Sequence, residues 1–386
     1  MRRYIGPVDG VTTTGNADAA CWLGRRVVVC HGSIVSRDAI GNDVFGMVAL
    51  LARHREVYVF GEYVSVTDLP RLDRTQLDEL IASPANTIIY HHSIEWPLGE
   101  EILRRARARI VIKYHNITPE HFFATRHPVL EAMCRRGREQ TARLRAALPD
   151  ALWLADSAFN LADAGVAHDP RAVVPPFNVV EDWQRTPPSS AVLAALNESG
   201  DVNLLAVGRL VPNKGFHTLI DAVAYYRRHH GRPVRLNVVG APTGGEDRYR
   251  GMLMRRIAEH GLDRHVRLLG QVTDEELVAL YLGSDYLLCA SEHEGFCVPL
   301  IEAQSLGLPL VAKDVPAVRE TAGESQLLLG GDPAELAEAV AMLEENPEYR
   351  HFVIGAGLEN FEHRFRRAEL ERRFCIAVGI ESERSA

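Results

Sequence analysis

The chain has 386 residues, 46% hydrophobic and 24% charged, with a formal net charge of −8 at pH 7. That length favours two domains, each with its own core, and a cleft between them. The acidic total argues against nucleic acid as a partner. The longest apolar runs, 27–30 and 308–312, are strand-sized, far short of the roughly 20 residues of a membrane helix, and no apolar signal core precedes them, so a cytoplasmic protein is expected.

Residues 1–24 show no period and read as a loose arm. From residue 25 onward, short runs of Val, Ile and Leu alternate with amphipathic stretches, the pattern of parallel strands covered by helices. Strands are expected at 26–30, 57–60, 87–90, 110–114, 152–155 and 172–174. A stretch with four prolines in 16 residues, 175–190, then interrupts the pattern. The alternation restarts with strands at 202–207, 235–239, 266–269, 286–289, 308–312 and 326–329. Between them Phe216, Leu219, Ile220, Val223 and Ala224 follow a helical stripe. Two doubly wound α/β domains follow, placed at 1–180 and 196–362 with a linker at 181–195. Residues 363–386 form a terminal helix expected to brace the first domain.

Six cysteines (Cys21, Cys30, Cys134, Cys289, Cys297, Cys375) lack CxxC or CxxxC spacing, which argues against a zinc knuckle or a disulfide framework. They read as reduced, mostly buried thiols. Only three of the 43 basic residues are lysines, Lys113, Lys214 and Lys313, so each marks a point where a compact ammonium is wanted. The segment 103–145 carries 11 Arg and Lys against 3 Glu, a local basic excess suited to an anionic surface such as a membrane, or simply a solvated Arg-rich face.

In open α/β sheets ligands bind beyond the carboxyl ends of the strands, and four segments leave expected strands there. In "GRLVPNKGF", Arg209 and Lys214 place two cations at a helix start, between Gly208 and Gly215, a cradle for a diphosphate or a solvated basic loop. In "SEHEGFCVPLIEA", Glu294 and Glu302 flank a helix start at Pro299. Glu302, placed in the first turn, is equally explained as a capping carboxylate, whereas Glu294 beside a glycine reads as a ligand holder. "KYHNITP" presents His115 and Asn116 at a strand tip, for substrate contact or for structure. After the first strand, Gly41 brings a backbone amide towards a phosphate, or Asn42 caps a helix beginning near Val44. The sequence has no Asp-x-Asp pair for a divalent ion, HExxH, GxSxG or GxGxxG after the first strand, so no metal site is expected.

"VGRLVPNKGFHTLIDA", followed by "SEHEGFCVPLIEAQSLGLPLVA", resembles the retaining glycosyltransferases of family 4. "YHNITP" is similar to the histidine segment of their acceptor domain, and "SAFN" at 157–160 to a donor-proximal stretch. The resemblance is specific across 202–329 and implies the GT-B fold, two Rossmann-like domains facing across a cleft. It implies that Arg209 and Lys214 hold the donor diphosphate and that Glu294 holds the transferred sugar, helped by Gly295 and Phe296, with Cys297 and Val298 continuing the donor-binding stretch. Glu302 is assigned to the ribose, Gln271 and Val272 to the base, His115 to the sugar at the reacting centre, and Gly41 to the diphosphate. The first loop, "HGSIVSRDAIGND", is longer and more polar than the family's paired-glycine loop.

The function implied is metal-independent, retaining transfer of a sugar from a UDP- or GDP-linked donor to a saccharide or glycolipid, in cell-surface polysaccharide or glycoconjugate synthesis. No cofactor is expected beyond the nucleotide sugar as co-substrate. An anionic membrane met through 103–145 and no nucleic acid complete the expected partners. The alternatives are a GT-B sugar-nucleotide epimerase and a non-catalytic nucleotide-sugar binding protein.

Overall fold

The computed structural model describes residues 21–36, 38–124, 127–167, 170–198, 200–241 and 248–380. Residues 1–20 of the expected arm, and Arg126 of the basic segment, lie outside them. Residues 21–24 are not loose: Leu23 is buried and the Trp22 amide donates to the Val378 carbonyl at 2.8 Å.

The described residues form two compact units, each around a six-stranded parallel sheet. The first sheet runs Glu56–Phe60, Arg26–Cys30, Thr87–His92, Arg109–Tyr114, Leu152–Ala155, Arg171–Val173 in space. Its connections diverge between Arg26–Cys30 and Thr87–His92. Every residue of Thr87–His92 and Leu152–Ala155 is buried, because helices cover both faces, and this is why 88–90 and 152–155 read as continuous apolar runs. A two-residue parallel pairing of Ser33–Ile34 with Tyr63–Val64 was not foreseen; it is too short to show an alternation.

The second sheet runs Val266–Gly270, Val234–Val239, Val202–Val207, Tyr286–Cys289, Leu310–Lys313, Leu327–Leu329. Here the connections diverge between Val202–Val207 and Tyr286–Cys289. That ladder pairs only Tyr286 with Leu204 and Leu287 with Leu205, so the carboxyl-terminal halves of the two strands part. The foreseen stripe Phe216, Leu219, Ile220, Val223 and Ala224 is buried along the helix Phe216–His230.

Three boundaries differ from expectation. The stretch 175–195, expected as proline-rich chain and linker, holds the short helix Val180–Trp183 and most of the helix Ser190–Asn197, capped by Ser189; Val180 and Trp183 are buried in clusters of the second unit. Two apolar residues in one turn are too few to show a period, so the prolines dominated the reading. Residues 117–138 pack with the second unit, which runs on to residue 369. The terminal segment is two helices, Pro347–Arg364 and Arg367–Val378, because the chain leaves helical geometry at Phe365. Leu370, Phe374, Cys375 and Val378 of the last helix sit in the core of the first unit with Val27, Val44 and Phe177.

Candidate functional site

In the second unit the two loops that leave the diverging strands meet. Gly215 has φ 67° and stands at the N-terminus of Phe216–His230; a Cβ there would meet the Ala290 carbonyl oxygen at 2.1 Å, so only glycine lets the cation loop come this close. Buried Asn213 ties the loops together, donating to the His293 carbonyl at 3.2 Å and accepting from the Glu292 amide at 2.7 Å. This brings the Lys214 ammonium to 2.6 Å from Glu294 Oε1. Ser291 adds a hydrogen bond to the same carboxylate.

Burial alone would push Glu294 up and Lys214 down. Their mutual attraction outweighs it in both, holding the acid below and the ammonium above its ordinary range. The pair is therefore ionised at neutral pH. Arg209, on the same loop, is exposed, and the structure brings it to this end of the sheet with Lys214.

Glu302 is placed differently from expectation. The helix runs Val298–Ser305 with Pro299 in its first turn, and Glu302 is its fifth residue, in the second turn. The capping explanation therefore lapses. Glu302 is buried, accepts a 2.5 Å hydrogen bond from the Tyr281 hydroxyl, and has no cation beside it among the described residues. Burial pushes its carboxyl up to about 7, against the pull of Tyr281. Tyr281, on the helix Asp274–Gly283, was missed, since an aromatic in an apolar helix reads as core. Before the helix, Phe296 and Cys297 are buried while Gly295 and Val298 are half-buried; Cys297 holds φ 75°, a conformation costly for a residue with a Cβ. Gln271 is exposed and Val272 half-buried, in the turn after Val266–Gly270.

In the first unit the same strand ends carry a buried polar network. Lys113 Nζ lies 2.7 Å from Asp156 Oδ1 and also donates to the Val174 carbonyl. His115 Nδ1 lies 2.9 Å from Asp156 Oδ2, and its Nε2 lies 2.8 Å from His91 Nδ1. His91 Nε2 is buried and has no hydrogen-bond partner among the described residues. His31 Nδ1 reaches the His91 carbonyl at 2.9 Å. Asp43 accepts from the Phe177 amide at 2.8 Å through Oδ1, while its Oδ2 stands 3.6 Å from His115 Nε2.

Burial pushes Asp43 up, against the pull of Lys113 and His115. Burial acts on Asp156 the same way, but His115 and Lys113 overcome it and hold that acid down. Burial, with His115, His31 and Lys113 nearby, keeps His91 well below its usual range. Within the network Lys113 faces Asp156, the acid that is held down, while Asp43 is pushed up. Of its members only His115 was foreseen as a site residue; His31, His91, Asp43 and Asp156 are far apart in the chain and individually ordinary.

Gly41 is the third residue of the helix Ala39–Leu51, and its amide donates to Asp38 Oδ2 at 3.2 Å. The amide expected for a phosphate is thus already engaged by a carboxylate, and the cap is Asp38, not Asn42. Glycine is needed here because a Cβ would meet the Val35 carbonyl oxygen at 1.9 Å. In "SAFN", Ser157 caps the helix Ala158–Asp163, and Asn160 accepts from Asn116 at 3.1 Å.

The basic segment is less basic than its count. Arg104 and Arg143 both pair with Glu100, and Arg105 pairs with Asp78 and Glu101. Those acids precede the segment in sequence and were not counted. No helix of the described residues is long and apolar enough to cross a membrane. The described thiols are free, five of them buried. A cavity of about 690 Å³, lined by Trp22, Arg109 and Pro149 among others, lies at the strand starts of the first sheet, away from the residues above.

Residues 194–359 match the family model described as glycosyl transferases group 1. D-inositol 3-phosphate glycosyltransferase of Corynebacterium efficiens is 37% identical over 164 residues, 41% of this chain and 37% of that protein. The serotype-specific mannosyltransferase WbdA of Escherichia coli is 30% identical over 198 residues, 48% of this chain and 23% of its own length. The chain thus matches little more than a third of these relatives at most. The crystal structure of Anabaena Alr3699/HepE in complex with UDP has a TM-score of 0.72 at 19% identity, covering 92% of this chain and 99% of that one. The fold is the GT-B fold of two Rossmann-like domains.

Proposed function

We propose, from the match of residues 194–359 to the group 1 glycosyl transferase model, that the protein moves a sugar from a UDP- or GDP-linked donor to a saccharide or glycolipid acceptor. Retention of configuration and independence of metal are part of the proposal, as is a place in cell-surface polysaccharide or glycoconjugate synthesis. The observation that carries it is the ionised Lys214–Glu294 pair, 2.6 Å apart at the point where the strands of the second sheet diverge.

The pair suits a donor because each partner has something to exchange. A diphosphate leaving group gains negative charge as the glycosidic bond breaks, and Lys214 with exposed Arg209 offers it cations fixed beforehand. Glu294, released from part of its pairing, accepts hydrogen bonds from sugar hydroxyls. Glu302 is assigned to the ribose diol, which needs its ionised form. Gln271 and Val272 are assigned to the base, and His115 to the transferred sugar. With no protein nucleophile, the acceptor proton passes to the leaving phosphate oxygen on one face of the sugar. Retention follows.

The names of similar proteins support this reading: UDP and UDP-glucose are bound in the HepE crystals, and the curated relatives are named for transfer involving D-inositol 3-phosphate and for mannosyl transfer. Incubation with a panel of UDP- and GDP-sugars and candidate acceptors, read by mass spectrometry, should give a glycosylated acceptor and free nucleotide diphosphate. Epimerised donor without acceptor use would make the protein an epimerase. Nucleotide binding without turnover would make it a binding protein, and neither binding nor turnover would end the reading. Docking on an anionic membrane through 103–145 belongs to the same proposal, and equal sedimentation with neutral and anionic liposomes would remove it.

A further inference from the structure

The donor chemistry uses the Glu294 and Lys214 side chains; beside them the sulfurs of Cys289 and Cys297 contact each other and take no assigned part in it. Cys289 ends the strand Tyr286–Cys289, and Cys297 stands at φ 75° before the helix Val298–Ser305. Their sulfurs are 3.8 Å apart, and both side chains are buried. A Glu294 carboxylate oxygen lies within 4.8 Å of both sulfurs. Among the described residues, none of the other four cysteines belongs to such a group of ligand atoms.

The spacing has a specific meaning. Two thiolates bound to one tetrahedral zinc ion at about 2.3 Å are separated by about 3.8 Å, whereas a disulfide requires about 2.05 Å. The two sulfurs therefore stand at the edge length of a tetrahedral site, with a hard oxygen ligand beside that edge. The strained backbone at Cys297 turns its side chain back towards Cys289, and sparsely populated conformations of this kind persist where a site needs them.

We propose that Cys289, Cys297 and Glu294 form a site for a thiophilic divalent cation of the zinc type, whose occupancy opposes donor binding. Two thiolates select such an ion over magnesium or calcium. On binding, the two Sγ–H bonds break and both protons leave to solvent, two sulfur–metal bonds and one oxygen–metal bond form, and no electrons change hands. The fourth position is left to water.

The effect on the donor rests on the function proposed above. A Glu294 oxygen that holds a metal no longer accepts a sugar hydroxyl. Two thiolates, one carboxylate and a divalent cation leave one net negative charge, which keeps the Lys214 ammonium in place, 2.6 Å from Glu294 Oε1, instead of on the diphosphate.

The test is a titration of the reduced full-length chain with cobalt(II), followed by displacement with zinc. One equivalent of cobalt should give thiolate-to-cobalt charge-transfer absorption and tetrahedral visible bands, with release of up to two protons. Cys289→Ser should abolish the bands and weaken metal binding by at least about 10- to 100-fold, the loss seen when even an outer partner of a metal ligand is removed. Zinc should also protect Cys289 and Cys297 of the unmodified chain from maleimide, mapped by mass spectrometry, while labelling of Cys21 is unchanged. Absence of the charge-transfer band, its survival in Cys289→Ser, or equal labelling with and without zinc would each overturn the site. In the transfer assay zinc should raise the apparent KM for the donor, and Cys289→Ser should keep its turnover and lose that sensitivity. Unchanged donor KM in zinc-loaded protein would overturn the antagonism. Metal binding is read without turnover, so a chain that binds zinc and transfers no sugar would sink the proposed function and leave this site standing.

Discussion

Each domain buries one lysine against one carboxylate at the carboxyl end of its sheet, and the two pairs are built for different work. Lys113 and Asp156 are sealed, with side chains 0% and 5% exposed, and their remaining valences go to Val174, His115 and the buried histidine network. Lys214 and Glu294 are 16% and 8% exposed, with a serine hydroxyl as the further side-chain partner of the acid. A sealed pair whose every charge has a protein partner can only position its neighbours, here the His115 ring. An open pair can trade partners with a ligand that carries the same charges.

The largest expected effect separates them. Lys113→Met leaves Asp156 buried without its cation, which should cost about 3–5 kcal/mol of stability in urea unfolding. Lys214→Met should cost less stability, because water reaches Glu294 in place of the ammonium. It should lower the transfer rate by about 10²–10³-fold, or roughly 2.7–4 kcal/mol of barrier, the loss typical of one donor to a developing anion. Equal stability losses in the two variants would erase the distinction between sealed and open pairs.

The lysines were the sequence signal for this comparison. With three in the whole chain, two prove to be the cations of these pairs, and the third, Lys313, ends a strand of the second sheet. The central strands were legible because burial on both faces forces apolar runs, and the loops with Arg209, Lys214 and Glu294 were legible because glycine and cation spacing is local. The histidine network was not, since Asp43, His91, His115 and Asp156 meet only through sheet order. The helix carrying Glu302 was expected to begin at Pro299 and begins one residue earlier, for a different reason: the loop ends on Cys297 at positive φ, where propensity would put glycine, so the helix start could not be read from residue types.

Glu302 sharpens the comparison as a buried acid with no cation beside it among the described residues. Its folded-state value of about 7 lies above the ordinary 4.5, so the stability it contributes is full below about pH 4.5 and is lost as pH rises through 7. At pH 8 the ionised carboxylate should cost about 3 kcal/mol. Glu302→Gln keeps an acceptor for Tyr281 and removes that cost, so the variant should exceed the parent by about this much at pH 8 and by little at pH 4.5. A difference independent of pH would show that the carboxyl titrates as in water. The same variant should raise the donor KM, since the amide offers the ribose one acceptor oxygen where the carboxylate offers two.

The smallest effect comes from the most solvated case and carries the opposite sign. Glu100 is held down to about 2 first by its hydrogen bonds to Arg143, and further by Arg104 and Gln140. A depressed acid contributes stability that is present above about pH 4.5 and lost as pH falls towards 2. Its arginines are 45% and 48% exposed, so water and salt screen the attraction and only about 1 kcal/mol should survive. Glu100→Gln should therefore destabilise by about that amount at pH 7, by less in high salt, and not at all near pH 2, where Glu302→Gln is also silent. Measured together from pH 2 to 8, the two variants should diverge with rising pH, one losing and the other gaining stability. Parallel curves would mean that exposure, and not the presence of a cation, decides what a carboxylate contributes to this fold.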